Sequence, residues 1–361
     1  MKSLIYILAY FITLSLTYAQ FPVVSNPSNL NEVEINQKLI AAGFKFKIAK
    51  TQAFIKYAVG GKGDKNYEPS IESKLLVHAR AKELTRIDNE AKREFIASKT
   101  SLAPSLSARL RDAGPATISP ILRNFDWRTF KKVSEVQDQG SCGSCWAFSA
   151  TAAYEASYLI VNNAKINVSE QDLMNCAING VVDAGDCIGG WTPDAFEYML
   201  KNGCSSEEVI PYLGADMNVS CVDSMSRIYK VAAWDYVDIG TEVPSVEKLK
   251  TALCEYGPIS VSMNIASPLF AAYVSGVYSE PLTDLQFASG HAVVIVGWDD
   301  DKQAWLIQNS YGKEWGEQGF GWIAYNSNKI GRSARWIKAS NLFFQATDKV
   351  IFIGSSPVST R

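Results

Sequence analysis

Histidine is nearly absent from this chain, which has only His78 and His291 among its 361 residues. Imidazole is the side chain that most readily changes charge near neutral pH. Only these two residues can supply an imidazole to a functional site. An excess of positive charge is also missing. The 35 lysines and arginines face 37 aspartates and glutamates, and this formal net charge of −2 argues against a nucleic-acid-binding surface.

Long apolar runs are scarce as well, and the clearest one lies at the start of the chain. Lys2 precedes an apolar core over residues 4–16, and Thr-Tyr-Ala19 ends the segment with small residues three positions and one position before the expected cut. This three-part pattern predicts a secretory signal peptide over residues 1–19. The alternative is an uncleaved anchor, but the run is shorter than the roughly 20 residues that a membrane span needs.

The signal peptide implies the secretory route. We therefore expect a protein that is secreted or held in a periplasmic or lysosome-like compartment, with no membrane association after cleavage. Secretory compartments are oxidising, so paired cysteines are reasonable there. The seven cysteines are an odd number, which fits three pairs with one free thiol or two pairs with three free thiols.

Cysteine and tryptophan are both missing from residues 20–120, which marks this region as different from the rest. It has 16 lysines and arginines and 10 aspartates and glutamates, whereas residues 121–361 have 18 and 27. The two parts therefore carry charges of +6 and −9. A chain of this length holds two ordinary domains, or one large domain and a processed segment.

Two local patterns divide the region before residue 120. Residues 70–99 are predicted to be helical, because Leu84, Ile87, Ala91 and Phe95 recur at steps of three and four between charged residues. The stretch that follows, residues 103–120, contains three prolines and a glycine and is typical of a linker.

Cys145 is the strongest candidate nucleophile in the sequence. It opens the apolar run Trp-Ala-Phe-Ser-Ala-Thr-Ala-Ala-Tyr-Glu-Ala, which predicts a helix. A thiol in the first turn of a helix meets the positive end of the helix dipole, which lowers its pKa and favours the reactive thiolate. The alternative is that Cys142 and Cys145 form a metal-binding or redox Cys-x-x-Cys pair, although no second such pair or Cys/His cluster completes a zinc site.

His291 is the candidate base. It stands 146 residues after Cys145, at the head of an apolar run that predicts a strand. His78, the other histidine, lies in the basic region before residue 120. The alternative for His291 is a core histidine without a chemical role.

Four stretches together resemble the papain-like, cathepsin-type (C1 family) cysteine proteases. They are Gln139-Gly-Ser-Cys-Gly-Ser-Cys145-Trp146, Cys187-Ile-Gly-Gly-Trp191, His291-Ala-Val-Val-Ile-Val-Gly-Trp298 and Asn309-Ser-Tyr-Gly-Lys-Glu-Trp315-Gly316. Phe125-Asp-Trp-Arg128 is similar to the start of the mature enzymes. The resemblance covers the chain from about residue 121 to about residue 341.

The resemblance implies an α+β chain with the papain-like two-lobe fold. A helical left lobe over about 130–230 and an antiparallel, β-barrel-like right lobe over about 231–345 enclose the active-site cleft, in a catalytic domain over 121–345. Residues 346–361 form a C-terminal tail. By its position and charge, the 20–120 segment is expected to be an inhibitory propeptide, although the usual propeptide signature is not found. An independent interaction domain is the alternative.

The resemblance also implies a cysteine endopeptidase that is made as a zymogen and cleaves protein or peptide substrates. Cys145 is its nucleophile, His291 its base, Asn309 the residue that orients the imidazole, and Gln139 the oxyanion-hole residue. No metal and no organic cofactor is expected. An exopeptidase, a transpeptidase and a secreted binding protein with a dead site are the alternatives.

Substrate contacts follow from the same resemblance. The expected substrate-binding residues are Gly189, Gly190, Trp191, Thr192, Ile265, Ser289, Gly290 and Trp315. Four of them form the wall of the second subsite: Trp191, Thr192, Ile265 and Ser289. None of the four is charged, so an apolar residue is expected before the scissile residue. The deepest wall residue comes from the less well matched stretch near Ala339.

Two disulfides are implied, Cys142–Cys187 and Cys176–Cys221. Cys204 and Cys254 either pair with each other or stay free. Two positions depart from the family pattern: Tyr311 replaces the tryptophan that shields the bond between asparagine and histidine, and Gly290 replaces an aspartate or asparagine.

Overall fold

A computed structural model describes residues 21–22, 30–57, 69–98, 118–177, 184–215, 221, 226–280 and 289–342. The predicted signal peptide, the C-terminal tail and nearly all of the predicted linker lie outside these residues.

Seven α-helices occur in the described residues, and side chains cap several of them. Ser169 accepts a hydrogen bond from the N–H of Asp172, and Ser245 accepts one from Lys248, which satisfies an otherwise unpaired first-turn donor. The helices are α1 (Glu32–Ala41), α2 (Gln52–Tyr57), α3 (Ile71–Ser98), α4 (Cys145–Asn162), α5 (Glu170–Cys176), α6 (Thr192–Asn202) and α7 (Val246–Tyr256).

The strands form one large sheet and one small one. They are β1 (Lys45–Ile48), β2 (Asn124–Asp126), β3 (Gly185–Asp186), β4 (Gly189–Gly190), β5 (Val231–Tyr236), β6 (Ile259–Ile265), β7 (Tyr273–Tyr278), β8 (Ser289–Asp299), β9 (Ala304–Gln308), β10 (Phe320–Ala324) and β11 (Arg332–Ala339). The large sheet has the order β1-β7-β10-β9-β8-β6-β11-β5, with β2 on β8, and β3 pairs with β4.

The large sheet is mostly antiparallel, with one parallel pair between β7 and β10. Its two ends, β1 and β5, do not pair with each other in the part of the chain that is described, so the strands form an open sheet. The α+β class is confirmed, and the expected barrel-like lobe is better described as this open sheet.

Strand β8 joins two hydrophobic cores. Val293 and Ile295 belong to the core of the β-rich lobe, while Val294 and Val296 belong to the core around α4. Successive side chains of a strand point to opposite faces, so one strand serves both lobes. Helix α4 packs against β8 and β11 from the second side.

Both edge positions of the sheet involve the region before residue 120. Strand β1 pairs antiparallel with β7, and helix α3 packs against β5. The predicted helix over 70–99 is confirmed as α3. Its buried stripe, however, is Lys74, Val77, Ala81 and Asp88, whereas Leu84 and its predicted partners are only partly buried.

Candidate active site

Cys145 is held at the first position of α4. Ser144 is the N-cap residue, and the preceding loop is tied down by the Cys142–Cys187 disulfide and by a bond from the Gly143 N–H to the Cys187 carbonyl at 2.8 Å. The Cys145 side chain is fully buried. The disulfide therefore fixes the start of the helix against the loop that leads into β4.

The His291 ring lies near the start of β8 and is oriented by Asn309, which follows β9. Its Nε2 is 2.7 Å from Asn309 Oδ1. An amide oxygen only accepts, so Nε2 carries the proton and the neutral ring has its lone pair on Nδ1. The next residue, Ala292, donates its N–H to Cys145 Sγ at 3.4 Å, which brings the sulfur to the start of the same strand.

Aromatic rings cover His291. Its ring centroid lies 4.9 Å from that of Tyr311 and 5.8 Å from that of Phe270. This burial lowers the pKa of His291 to about 4, and the hydrogen bond to Asn309 only partly opposes the shift. Tyr311 thus occupies the shielding position that the family pattern gives to tryptophan.

A small, partly open pocket lies behind the site, between α4 and β8. Its volume of about 20 Å³ suffices for one water molecule. Asn309 lines it, and the amide nitrogen of Asn309 has no hydrogen-bond partner among the described residues. Glu155 and Glu170 also line the pocket; burial raises the pKa of Glu155 well above its usual range and that of Glu170 to about 8.

Gln139 is fixed by four hydrogen bonds. Its Nε2 donates to the Cys142 carbonyl at 2.8 Å, and its Oε1 accepts from Ser310 Oγ at 2.6 Å. Its backbone N–H donates to the Ser310 carbonyl, and its own carbonyl accepts from Tyr212 Oη at 2.6 Å. Sequence analysis missed Ser310 and Tyr212. Ser310 lies inside the Asn-Ser-Tyr motif, which was a usable signal, whereas Tyr212 lies in no motif.

Packing explains why one position of strand β4, Gly190, is a glycine. A Cβ on Gly190 would lie 2.3 Å from the indole of Trp146, so no side chain fits there. Thr192 donates to the Trp146 carbonyl at 3.2 Å, and Trp191 is buried. The expected contact of Gly189 and Gly190 with substrate backbone stays a prediction.

The other predicted substrate residues come from the β-rich lobe. Ile265 pairs with Ser289, and Gly290 pairs with Asn264, all at the same end of β6 and β8. Trp315 is fully buried, and its indole N–H donates to the Phe270 carbonyl at 2.8 Å. The substrate roles of these residues stay predictions.

Arg335 is a residue that sequence analysis missed. It lies on β11, is fully buried, and places its guanidinium carbon 5.5 Å from the centre of the Trp191 ring. Its Nε and Nη2 donate to Ser260 and Ser262 at 3.2 and 3.1 Å. It lies in the less well matched stretch near Ala339, and no motif indicated it.

Both implied disulfides, Cys142–Cys187 and Cys176–Cys221, are present. Cys204 and Cys254 are free, so of the two alternatives the pairing is wrong. Burial raises the pKa of the Cys204 thiol well above its usual range and that of Cys254 to about 11. Both thiols are therefore protonated at neutral pH, and neither competes as a nucleophile.

Comparisons with known proteins agree with this geometry. A model of the papain family of cysteine proteases matches residues 121–339. Cathepsin L of Sarcophaga peregrina is 35% identical over 261 residues, which are 70% of this chain and 72% of that protein. Digestive cysteine proteinase 3 of Homarus americanus is 36% identical over 208 residues, 57% of this chain and 62% of the relative.

A solved structure extends the likeness to the region before residue 120. Digestive procathepsin L2 from the larval midgut of Tenebrio molitor superimposes with a TM-score of 0.62 at 26% identity, and the match covers 91% of this chain and 99% of that one. The chain belongs to the papain family of cysteine proteases, which hydrolyse peptide bonds. No helix among the described residues is both long and apolar enough to cross a membrane.

Proposed function

We propose that this chain is the zymogen of a secreted cysteine endopeptidase with Cys145 as nucleophile and His291 as base. The observation that carries the proposal is the placement of Cys145 Sγ at the Ala292 N–H, beside a histidine whose Nε2 is held by Asn309. This tautomer leaves Nδ1 as the atom that accepts the thiol proton.

The reaction then follows from the named groups. The thiolate of Cys145 attacks the peptide carbonyl, and the negative oxygen that forms accepts hydrogen bonds from the Cys145 backbone N–H and from Gln139 Nε2. An amide nitrogen carries two hydrogens, and the Cys142 carbonyl occupies one. The imidazolium of His291 gives its proton to the leaving amine, and water hydrolyses the thioester.

The low pKa of His291 fits this scheme. Burial alone favours the neutral ring, which is the form that accepts a proton. A thiolate formed beside the ring stabilises the imidazolium, because opposite charges attract strongly in a poorly solvated site.

A dead binding protein is the competing function, and reactivity distinguishes the two. After processing, a thiol-directed epoxide inhibitor should label Cys145 and leave the buried, protonated Cys204 unlabelled. Labelling that is equal in a Cys145→Ala variant, or absent from the wild type, would contradict the protease.

Endopeptidase activity is favoured over the carboxydipeptidase type, which uses a histidine pair on an occluding loop. The one histidine besides the base, His78, lies on α3 against Asp235. A transpeptidase would use the same four residues, so product analysis in the presence of added amine nucleophiles decides between hydrolysis and transfer.

The region before residue 120 is proposed to be the inhibitory propeptide. Strand β1 extends the sheet at β7, and Lys56 Nζ lies 2.9 Å from both carboxylate oxygens of Asp138, the neighbour of Gln139. Two other side chains of this region also meet carboxylates of the catalytic domain: Arg80 pairs with Glu197, and His78 bonds to Asp235. These pairs support a latch between the +6 and −9 parts, with processing proposed between residues 103 and 121.

Substrate preference follows from the wall around Trp191. The uncharged residues predict an apolar side chain before the scissile residue. Arg335 adds a buried cation at this wall, so a preference for an acidic side chain is the outcome that would overturn the prediction.

A further inference from the structure

The described parts of the region before residue 120 bind the catalytic domain at two separate places. Residues 30–57 reach the active site, where Lys56 meets Asp138. Helix α3 instead packs on β5, at the other end of the sheet order. The two places are joined by residues 58–68, which lie outside the described residues.

Two ion pairs and one hydrogen bond between a histidine and a carboxylate hold α3 to three different elements. Arg80 donates to both carboxylate oxygens of Glu197 on α6, at 2.8 and 2.5 Å. His78 Nδ1 lies 2.5 Å from Asp235 on β5, and Lys338 on β11 pairs with Asp88 at 2.6 Å. Arg80 and Glu197 are each less than a fifth exposed. A bidentate pair with little solvent fixes both distance and orientation.

Apolar contacts fill the space between these pairs. Val77 is buried in the same core as Trp234 and Tyr236, and Ala81 is buried in the core of the β-rich lobe. Lys74 is buried with its ammonium 5.5 Å from the centre of the Tyr236 ring. The helix therefore completes the packing around β5.

The outer face of α3 is built differently. Arg86 pairs with Glu83 and Glu90 of the same helix, and Leu76 is half exposed. Ion pairs within one exposed helix add little to its stability, and most helical stability in proteins comes from packing of one face against the rest of the molecule. The stability of α3 depends on its seat on β5, α6 and β11.

We propose that α3 stays bound to the catalytic domain after processing, as a second, noncovalently held chain that seals β5. Because processing between residues 103 and 121 leaves both parts in one piece, the inference also requires a second cut within residues 58–68, which separates the inhibitory part from the retained part. This inference rests on the proposed function only in assuming that the zymogen is processed.

The test uses the full chain with Cys145→Ala, which cannot process itself. Recognition sequences for an external protease are placed within residues 58–68 and 104–114, so that cleavage excises α3 without any activity of the protein. Size-exclusion chromatography with mass spectrometry then detects the peptide. We expect α3 to elute with the catalytic domain in one-to-one ratio, and its elution as a separate peptide would overturn the proposal.

Two matched pairs of variants on the same helix locate the seat. Arg80→Ala should weaken retention about tenfold or more, because it leaves Glu197 largely buried without its arginine, whereas Arg86→Ala should retain the peptide. Val77→Asp should release it, while Leu76→Asp, the neighbouring half-exposed position, should not. Equal release by both members of each pair would contradict the seat.

The readouts separate this inference from the proposed function. Retention is measured in an inactive variant, so it does not depend on peptidase activity. A wild-type protein that is active after the same cuts but loses α3 would refute the retained chain alone. A wild-type protein that keeps α3 after the same cuts but is inactive would refute the peptidase alone.

Discussion

The active site and the α3 seat each contain one of the two histidines, and they use them in opposite ways. His291 is fully covered and bonded to the amide of Asn309, whereas His78 is partly exposed and bonded to the carboxylate of Asp235. The neutral amide of Asn309 orients the His291 ring without adding a charge beside it. The His78–Asp235 contact instead joins α3 to β5, so it serves to hold two elements together.

The arginines repeat this contrast. Arg335, near the predicted substrate wall, donates to the hydroxyls of Ser260 and Ser262. Arg80 instead donates to both carboxylate oxygens of Glu197. Residue type alone therefore does not assign a role here. The partners and the burial of each side chain distinguish the two places, and each experiment below changes one side of the comparison.

The largest effect is expected from the catalytic pair. Cys145→Ala and His291→Ala should each lower kcat/KM of the processed enzyme by about a thousandfold or more, because the thiol and the base act as a unit. The double variant should be no worse than either single one. Turnover of a fluorogenic peptide measures this, and residual activity within tenfold of wild type would refute the assignment.

His78→Ala is the matched control for His291→Ala. It removes the other imidazole, which bonds to Asp235 far along the sheet from Asn309. The processed variant should keep kcat/KM within about twofold of wild type. A substitution of a partly exposed residue away from the active site has only a small effect in most cases. A loss as large as that of His291→Ala would break the comparison.

The second effect is on acid stability. The His291 pKa falls from 6.5 to about 4 on folding, so its contribution to stability is complete above pH 6.5 and declines as the pH falls toward 4. The decline amounts to about 3 kcal/mol. In the Cys145→Ala background, His291→Gln should flatten the free energy of unfolding over this range. An unchanged slope in denaturant titrations would contradict the buried neutral ring.

The third effect concerns Arg335. A peptide library profile should show an apolar preference before the scissile residue, and Arg335→Met should change its rank order by less than about tenfold if the arginine only supports Trp191. Selection of acidic residues by the wild type, lost in Arg335→Met while Lys338→Met keeps it, would make Arg335 the specificity determinant.

The smallest effect is expected at the latch. Exposed pairs such as Lys56–Asp138 contribute at most about 1 kcal/mol and weaken with salt. The inhibition constant of the isolated 20–120 segment should therefore rise severalfold between low and high salt at neutral pH. A constant that does not change would refute the electrostatic latch and leave the peptidase untouched.

Sequence predicted those features that depend on local chemistry. The helix over 70–99, the α4 start at Cys145 and the strand at His291 each follow from spacing within one stretch, and α3, α4 and β8 confirm them. The disulfides came from resemblance, because the cysteine count alone allowed several pairings.

Features that depend on distant partners could not be predicted. The buried stripe of α3 includes Lys74 and Asp88, which a hydrophobic pattern excludes and which Tyr236 and Lys338 make possible. Arg335 is likewise buried, and the hydroxyls of two serines on strand β6 accept hydrogen bonds from its guanidinium. Gly190 was predicted for its approach to substrate, whereas the structure shows that a Cβ at this position would also clash with Trp146.

The two-faced strand β8 links folding to catalysis. Alternate side chains of β8 pack into the two cores. A register shift of one residue in β8 would therefore turn the side chains of each core toward the other lobe. Cys145 and His291 therefore meet only when both lobes have formed around one register. In the proposed enzyme, a nascent or misfolded copy would therefore lack the assembled pair of nucleophile and base.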